Sequence, residues 1–142
     1  MSLHCLRDAS SIGLFNAEVF AAMKPGAVFI NTARGGLHDE AALVAALRSG
    51  HLGGAGIDVW DVEPPPLDHP LLAMPHVLAR YHTAGVTHQA RENMARWAAA
   101  QVIDTLAGRA PARLANPQAW PLYAERFRAL LGFKPNGLPG VP

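Results

Sequence analysis

The fold of this chain is decided by residues 27–59, which read AVFINTARGGLHDEAALVAALRSGHLGGAGIDV. Two segments within this stretch, Ala27–Asn31 and Gly54–Val59, have strand length and are rich in small and β-branched residues. Between them, Asp39 can cap a helix of about ten residues, which Gly50 can end in a left-handed conformation. A strand, a helix and a strand in such short alternation predict a parallel βαβ unit.

Further elements extend this unit in both directions. The predicted elements are a strand at 2–5, a short helix at 16–23, a strand at 76–80, a long helix at 87–106 and a terminal amphipathic helix at 122–131. Pro111, Pro117 and Pro121 predict an extended crossing segment between the last two helices, and residues 134–142 a loose tail. We therefore expect an α/β fold, in which a parallel sheet with flanking helices is followed by a C-terminal helical crossing segment.

Composition narrows the class of protein. Half of the 142 residues are hydrophobic, 16% are charged and the net charge is +1, which is typical of a globular chain. The charges are scattered, so we expect no binding to nucleic acid or to a membrane surface. The sequence shows neither a secretory signal pattern nor a run near the roughly 18 apolar residues of a membrane span. With Cys5 as the single cysteine, these features predict a cytoplasmic protein.

A charged or titratable side chain follows each of three predicted strands. Arg34 lies in the turn NTARGG after the first, Glu63 in the proline-rich loop after the second, and His82 directly after the third. Each motif alone is weak, because arginine–glycine turns, acidic loops and single histidines are more often structural or exposed. Because ligands of parallel sheets bind at the carboxyl ends of the strands, however, we expect the three side chains to converge on one cleft.

The three residue types suit acid–base chemistry on a substrate that carries a carboxylate. The planar guanidinium of Arg34 matches a carboxylate, and His82 is the usual kind of general acid or base near neutral pH. A carboxylate such as Glu63 beside a histidine favours the charged imidazolium. The seven histidines show no ligand spacing such as His-Glu-x-x-His, so we predict no metal site.

Several motifs follow one another in the order and spacing of a single enzyme family. They are SLHC at 2–5, MKPGAVFINTARGG at 23–36, GAGIDVWDVEP at 54–64 and HTAGVT at 82–87. Together they resemble the D-isomer-specific 2-hydroxyacid dehydrogenases, which include phosphoglycerate and glyoxylate/hydroxypyruvate enzymes. The match runs from residue 2 to about residue 117. The resemblance implies a Rossmann-type sheet and an oxidoreductase that interconverts D-2-hydroxy acids and 2-oxo acids with NAD or NADP.

The resemblance also implies roles for individual residues. Arg34 would bind the carboxylate and 2-oxo group of a small substrate, His82 would exchange the proton, and Glu63 would pair with His82. The residues implied to contact the cofactor are Leu6, Thr32, Ala33, Arg34, Asp58, His82, Ala84 and Gly85. A homodimer that involves the long helix is implied as well.

The sequence departs from the family pattern at several positions. Leu6 and Tyr81 stand where the family usually has proline, and Asp8 and Ser11 where it usually has threonine. The family's Gly-x-Gly-x-x-Gly motif is absent from this sequence, as is the acidic residue that binds the cofactor ribose.

These absences predict a truncated protein. Residues 1–110 would be a partial NAD-binding domain without its glycine-loop half, and residues 111–142 would be the crossing segment, helix and tail. The alternative is a catalytically inactive dehydrogenase remnant that acts as an association or interaction module, because a partial domain exposes sheet edge and apolar helix faces.

Overall fold

The computed structural model describes residues 1–137, which divide into two compact units. The first unit is Met1–Gly85 and the second begins at Val86. The strands of the first unit are β1 (Ser2–Leu3), β2 (Ala27–Asn31), β3 (Leu52–Ile57) and β4 (Val77–Ala79). Its helices are α1 (Ala17–Ala22) and α2 (Glu40–Arg48), with a 3-10 turn at Pro70–Ala73 that the sequence pattern did not predict.

The four strands form one parallel sheet in the order β1-β2-β3-β4. Helix α2 connects β2 to β3, so the predicted βαβ unit and the Rossmann-type α/β fold are confirmed. Strand β3 begins two residues earlier than predicted, because Leu52 is buried and pairs with Ala27. All strands run the same way, so their carboxyl ends lie along one edge of the sheet.

The boundaries of the helices follow the capping signals in the sequence. The Asp39 carboxylate accepts the backbone N–H of Ala42 at 2.9 Å, and Gly50 has a φ of 75° just beyond the end of α2. The Asn16 side chain caps α1 in the same way by accepting the Val19 N–H at 3.0 Å. These local hydrogen bonds fix the residues at which α1 and α2 begin.

The core of the first unit lies against one face of the sheet. Phe29 of β2 is fully buried and packs against Phe15 and Phe20, with ring centroids 5.2 and 5.1 Å away. Each large apolar side chain buried there contributes about 1.5–3 kcal/mol before conformational entropy is counted. The alternate residues of β2, Val28 and Ile30, are exposed on the other face.

The second unit contains α3 (His88–Leu106), a 3-10 turn at Pro117–Ala119 and α4 (Trp120–Leu131). Helix α3 begins as predicted, because the Thr87 hydroxyl accepts the Ala90 N–H at 3.0 Å. Helix α4 begins two residues earlier than predicted, with Pro121 in its first turn rather than in an extended segment. A proline is tolerated there because the first N–H groups of a helix have no partner within the helix.

The predicted tail at 134–142 lies partly outside the described residues, which end at Gly137. Within the described part, the Asn136 N–H donates to the Gly108 carbonyl at 2.7 Å, and the Ala110 N–H donates to the Asn136 carbonyl at 3.0 Å. Along residues 1–137, none of the helices combines the length and apolar character needed to cross a membrane.

Candidate active site

The carboxyl ends of β2, β3 and β4 carry the three residues that the sequence singled out. Arg34 lies in the turn after β2, Glu63 in the loop after β3 and His82 in the turn after β4. The structure brings Glu63 and His82 into direct contact, and the charge of Arg34 acts on the Glu63 carboxylate. All three residues belong to the first unit, and the Arg34 guanidinium donates to the Ala33 carbonyl at 2.6 Å.

The closest of these contacts joins His82 and Glu63. The imidazole Nδ1 lies 2.9 Å from Oε2 of Glu63, and because a carboxylate only accepts hydrogen bonds, Nδ1 carries the proton. The other carboxylate oxygen accepts the backbone N–H of Trp60 at 3.0 Å. The side chains are 46% and 38% exposed, which leaves Nε2 of the histidine available for proton exchange with a bound molecule.

Electrostatics keep Glu63 ionised. The hydrogen bond from His82 is the main reason that the pKa of Glu63 lies below its usual range, and the Trp60 N–H acts in the same direction. The positive charges of His82 and Arg34 add to the effect, whereas partial burial opposes it. At neutral pH Glu63 is therefore a carboxylate that accepts the hydrogen bond of the His82 Nδ1–H.

The turn that carries His82 is held by Asp58. His82 has a φ of 55°, a left-handed conformation that is rare for a residue with a side chain. Its N–H donates to the Asp58 carbonyl at 2.6 Å, and the N–H groups of Thr83 and Ala84 donate to the two Asp58 carboxylate oxygens at 2.8 and 2.9 Å. The implied role of Asp58 as a cofactor contact stays a prediction; this residue, 3% exposed, is here an anchor for the histidine turn.

The turn that carries Arg34 is held by Asn31. The Asn31 side chain is fully buried; its Oδ1 accepts the Ala33 N–H and its Nδ2 donates to the Arg34 carbonyl, both at 2.9 Å. The same Nδ2 lies 3.1 Å from Nδ1 of the buried His38. Neither residue was predicted from the sequence as a support of the site, although an asparagine that ends an apolar strand is a signal that could have drawn attention to Asn31.

The arginine turn and the glutamate loop are also held against each other. A Cβ atom on Gly35 would lie 1.9 Å from the Trp60 carbonyl oxygen, so only glycine allows this close approach. The Gly36 N–H donates to Asp61 Oδ1 at 2.6 Å, and the Asp61 N–H donates to Glu40 Oε1 at 2.9 Å. The two glycines of the NTARGG motif therefore hold the arginine turn against the loop that carries Glu63.

A cavity of about 500 Å³ opens beside this turn. Its lining comprises His4, Cys5, Leu6, Arg7, Thr32, Ala33 and Arg34, which include four of the implied cofactor contacts. The other four lie outside this lining. His82, Ala84 and Gly85 belong to the turn after β4, and Asp58 anchors that turn. A cavity of this size with two guanidinium groups fits an anionic segment of a nicotinamide dinucleotide.

Known proteins resemble this chain in sequence and in fold. A family model described as D-isomer specific 2-hydroxyacid dehydrogenase, NAD binding domain, matches residues 1–84. The chain is 49% identical over 105 residues to glyoxylate/hydroxypyruvate reductase B of Citrobacter koseri, an alignment that covers 74% of this chain and 32% of that protein. The chain thus spans about a third of the length of the curated relatives that it matches.

Solved structures share the fold. The TT0316 protein of Thermus thermophilus matches with a TM-score of 0.73 at 46% identity, over 78% of this chain and 35% of that one. A D-isomer specific 2-hydroxyacid dehydrogenase of Xanthobacter autotrophicus Py2, solved in complex with NADPH and MES, matches with a TM-score of 0.65 at 41% identity, over 75% and 43%. The family match covers more than half of the residues, and the chain therefore belongs to the D-isomer specific 2-hydroxyacid dehydrogenases through their NAD binding domain.

Proposed function

We propose that this chain carries the proton-transfer and carboxylate-binding residues of a dehydrogenase that acts on small D-2-hydroxy acids or reduces 2-oxo acids. The observation that supports it most is the hydrogen bond between His82 Nδ1 and Glu63 Oε2, beside Arg34 at the carboxyl edge of a parallel sheet. Reduction of a 2-oxo acid needs a cation for the carboxylate and a proton for the carbonyl oxygen. Arg34 and His82 supply these two groups.

In the proposed reaction each residue has one task. The Arg34 guanidinium binds the substrate carboxylate and draws charge toward the 2-oxo oxygen. His82 gives its Nε2 proton to that oxygen in reduction and takes it back in oxidation, while its Nδ1–H keeps donating to Glu63. The Glu63 carboxylate stabilises the imidazolium that precedes proton transfer. A bound nicotinamide cofactor supplies or accepts the hydride.

The proposed cofactor is NAD or NADP. Its contacts would come from Leu6, Thr32, Ala33 and Arg34 in the cavity and from Asp58, His82, Ala84 and Gly85. In this proposal residues 1–110 are a partial NAD-binding domain, and residues 111–142 are the crossing segment, helix and tail. The Citrobacter koseri relative makes glyoxylate and hydroxypyruvate the first substrates to test.

A second candidate function is association without catalysis. None of the residues of α3 is buried, and its exposed apolar side chains are Met94, Trp97, Val102, Ile103 and Leu106. The sheet also exposes Val28, Ile30 and Leu78. An apolar surface of this kind favours a partner, and a second copy of the chain is the partner that we propose.

A titration with NADH separates the two functions. We expect NADH fluorescence to report saturable binding to the chain, and Arg34→Ala to weaken that binding. Arg48→Ala is the matched control, because Arg48 lies at the end of α2 and outside the cavity. No NADH binding, together with a stable oligomer, would favour the association module instead.

A further inference from the structure

Two buried polar residues behind the arginine turn have no task in the proposed reaction. Asn31 and His38 have relative exposures of 0% and 1%. The Asn31 amide has one orientation that satisfies its neighbours, with Oδ1 facing the Ala33 N–H and Nδ2 facing the Arg34 carbonyl. A flip of the amide would turn its NH₂ group toward the Ala33 N–H and its oxygen toward the Arg34 carbonyl, and both hydrogen bonds would be lost.

This orientation of the Asn31 amide determines which ring nitrogen of His38 carries the proton. The second hydrogen of the Asn31 Nδ2 points to Nδ1 of His38 at 3.1 Å, so Nδ1 must act as the acceptor. The neutral ring then carries its proton on Nε2. That nitrogen is buried and has no hydrogen-bond partner within residues 1–137. Within residues 1–137, the His38 side chain therefore makes its hydrogen bond to the Asn31 amide alone, and its ring packs against Phe29 with centroids 5.3 Å apart.

A protonated His38 could not make the same contact. An imidazolium has an N–H on both nitrogens, so its Nδ1–H would face the Asn31 NH₂ group. Burial keeps the pKa of His38 below its ordinary value of 6.5, against the attraction of the Glu40, Asp61 and Asp39 carboxylates. The ring is thus neutral at pH 7, and acidification opposes the hydrogen bond.

We propose that neutral His38 is a positioning residue that holds the Ala33–Arg34 turn through the Asn31 amide, and that protonation of His38 releases this turn. The proposal concerns the backbone of the turn alone. Its consequence for carboxylate binding by Arg34 depends on the function proposed above.

Amide hydrogen exchange on the 142-residue chain tests the proposal. The Ala33 N–H reports the Asn31 hydrogen bond, and the Ala55 N–H, which donates to the His76 carbonyl at 3.1 Å, reports the sheet. We expect the protection factor of Ala33 to fall by up to about tenfold between pH 7.5 and pH 5.5, and the protection of Ala55 measures how much of that fall comes from lower global stability.

Two variants separate positioning from general stability. His38→Asn places a carbonyl oxygen near the position of Nδ1 and cannot titrate, so Ala33 should stay protected at both pH values. His38→Leu removes the acceptor, so Ala33 should lose protection at both pH values while Ala55 keeps it. The proposal would be overturned if Ala33 in the unmodified chain were equally protected at pH 7.5 and pH 5.5. It would also be overturned if Ala33 at pH 7.5 were as well protected in His38→Leu as in the unmodified chain.

A separate arm tests the proposed function. Oxamate, a 2-oxo acid analogue, is added while the Arg34 side-chain NMR signal is followed. If Ala33 responds as expected and oxamate does not bind, the positioning role stands and the proposed function fails. If oxamate binds and Ala33 does not respond to pH, the positioning role fails alone.

Discussion

At the scale of single residues, the site divides into exposed side chains that would contact a substrate and buried side chains that hold them. Arg34, Glu63 and His82 are reachable from solvent, whereas Asn31 and Asp58 are buried. A buried polar group must satisfy its hydrogen bonds locally, and these two do so with the backbone N–H groups of the turns. Precise placement of the exposed groups therefore depends on residues that never meet the substrate.

The pairing of His82 with Glu63 predicts a change in titration. Because the His82 hydrogen bond is the main cause of the lowered Glu63 pKa, His82→Ala should raise that pKa toward its ordinary value of 4.5. NMR titration of the labelled Glu63 carboxyl carbon measures it directly. His76→Ala, at the opposite end of β4, is the control and should leave the Glu63 pKa unchanged. An unchanged midpoint in His82→Ala would show that the pair does not form in solution.

The close approach at Gly35 predicts a steric effect. Gly35→Ala would place a methyl group 1.9 Å from the Trp60 carbonyl oxygen, so the two loops must separate. We expect a loss of about 1–3 kcal/mol in the free energy of unfolding, measured by urea denaturation. Gly85→Ala is the matched control, because nothing lies within 4 Å of its added methyl group. Equal stability of the two variants would mean that the loops are not packed as described.

At the scale of elements, the helix starts could be predicted because they depend on hydrogen bonds between residues close in the sequence. The caps at Asp39 and Thr87 lie within three residues of the groups they bind, so the sequence alone revealed the starts of α2 and α3. Parallel topology then placed Arg34, Glu63 and His82 along one edge. Two of the supporting contacts escaped prediction because they join residues far apart in the sequence: Gly36 contacts Asp61, and Asp58 contacts the turn after β4.

Helix α3 predicts self-association. Its 19 residues include none that is buried, and Val102 and Ile103 expose most of their side chains. We expect the sedimentation coefficient to rise with concentration as a second copy covers this surface. Ile103→Glu should weaken association, whereas Gln89→Glu, which adds the same charge to a polar position on the helix, should not. Monomeric sedimentation over a wide concentration range would contradict the prediction.

At the scale of the whole molecule, the buried His38 predicts that stability depends on pH. Its pKa is lowered in the folded chain, so the unfolded chain binds the proton first as pH falls. The free energy of unfolding should be full above about pH 6.5 and fall below it, by up to about 1.4 kcal/mol per pH unit. Glu63 titrates below this window, because its pKa is lowered from 4.5. Urea denaturation between pH 7.5 and 5 should show this slope, and His38→Asn should reduce it.

We propose that Arg34, Glu63 and His82 perform the chemistry of a 2-hydroxyacid dehydrogenase once a cofactor is held in place. The sequence lacks the glycine motif that anchors a cofactor pyrophosphate at a helix N-terminus. We therefore expect negligible turnover by the chain alone, because positioning of the cofactor against the substrate contributes several kcal/mol to lowering the barrier.

The most direct test is an NADH-oxidation assay with glyoxylate, hydroxypyruvate and pyruvate. It compares the 142-residue chain with a fusion in which the upstream part of the Citrobacter koseri reductase precedes it. We predict turnover by the fusion and not by the chain, with kcat about 100- to 10,000-fold lower in His82→Ala and unchanged in His76→Ala. A fusion whose turnover survives His82→Ala would contradict the assignment of the proton donor, and turnover by the 142-residue chain alone would contradict the need for the upstream part of the reductase.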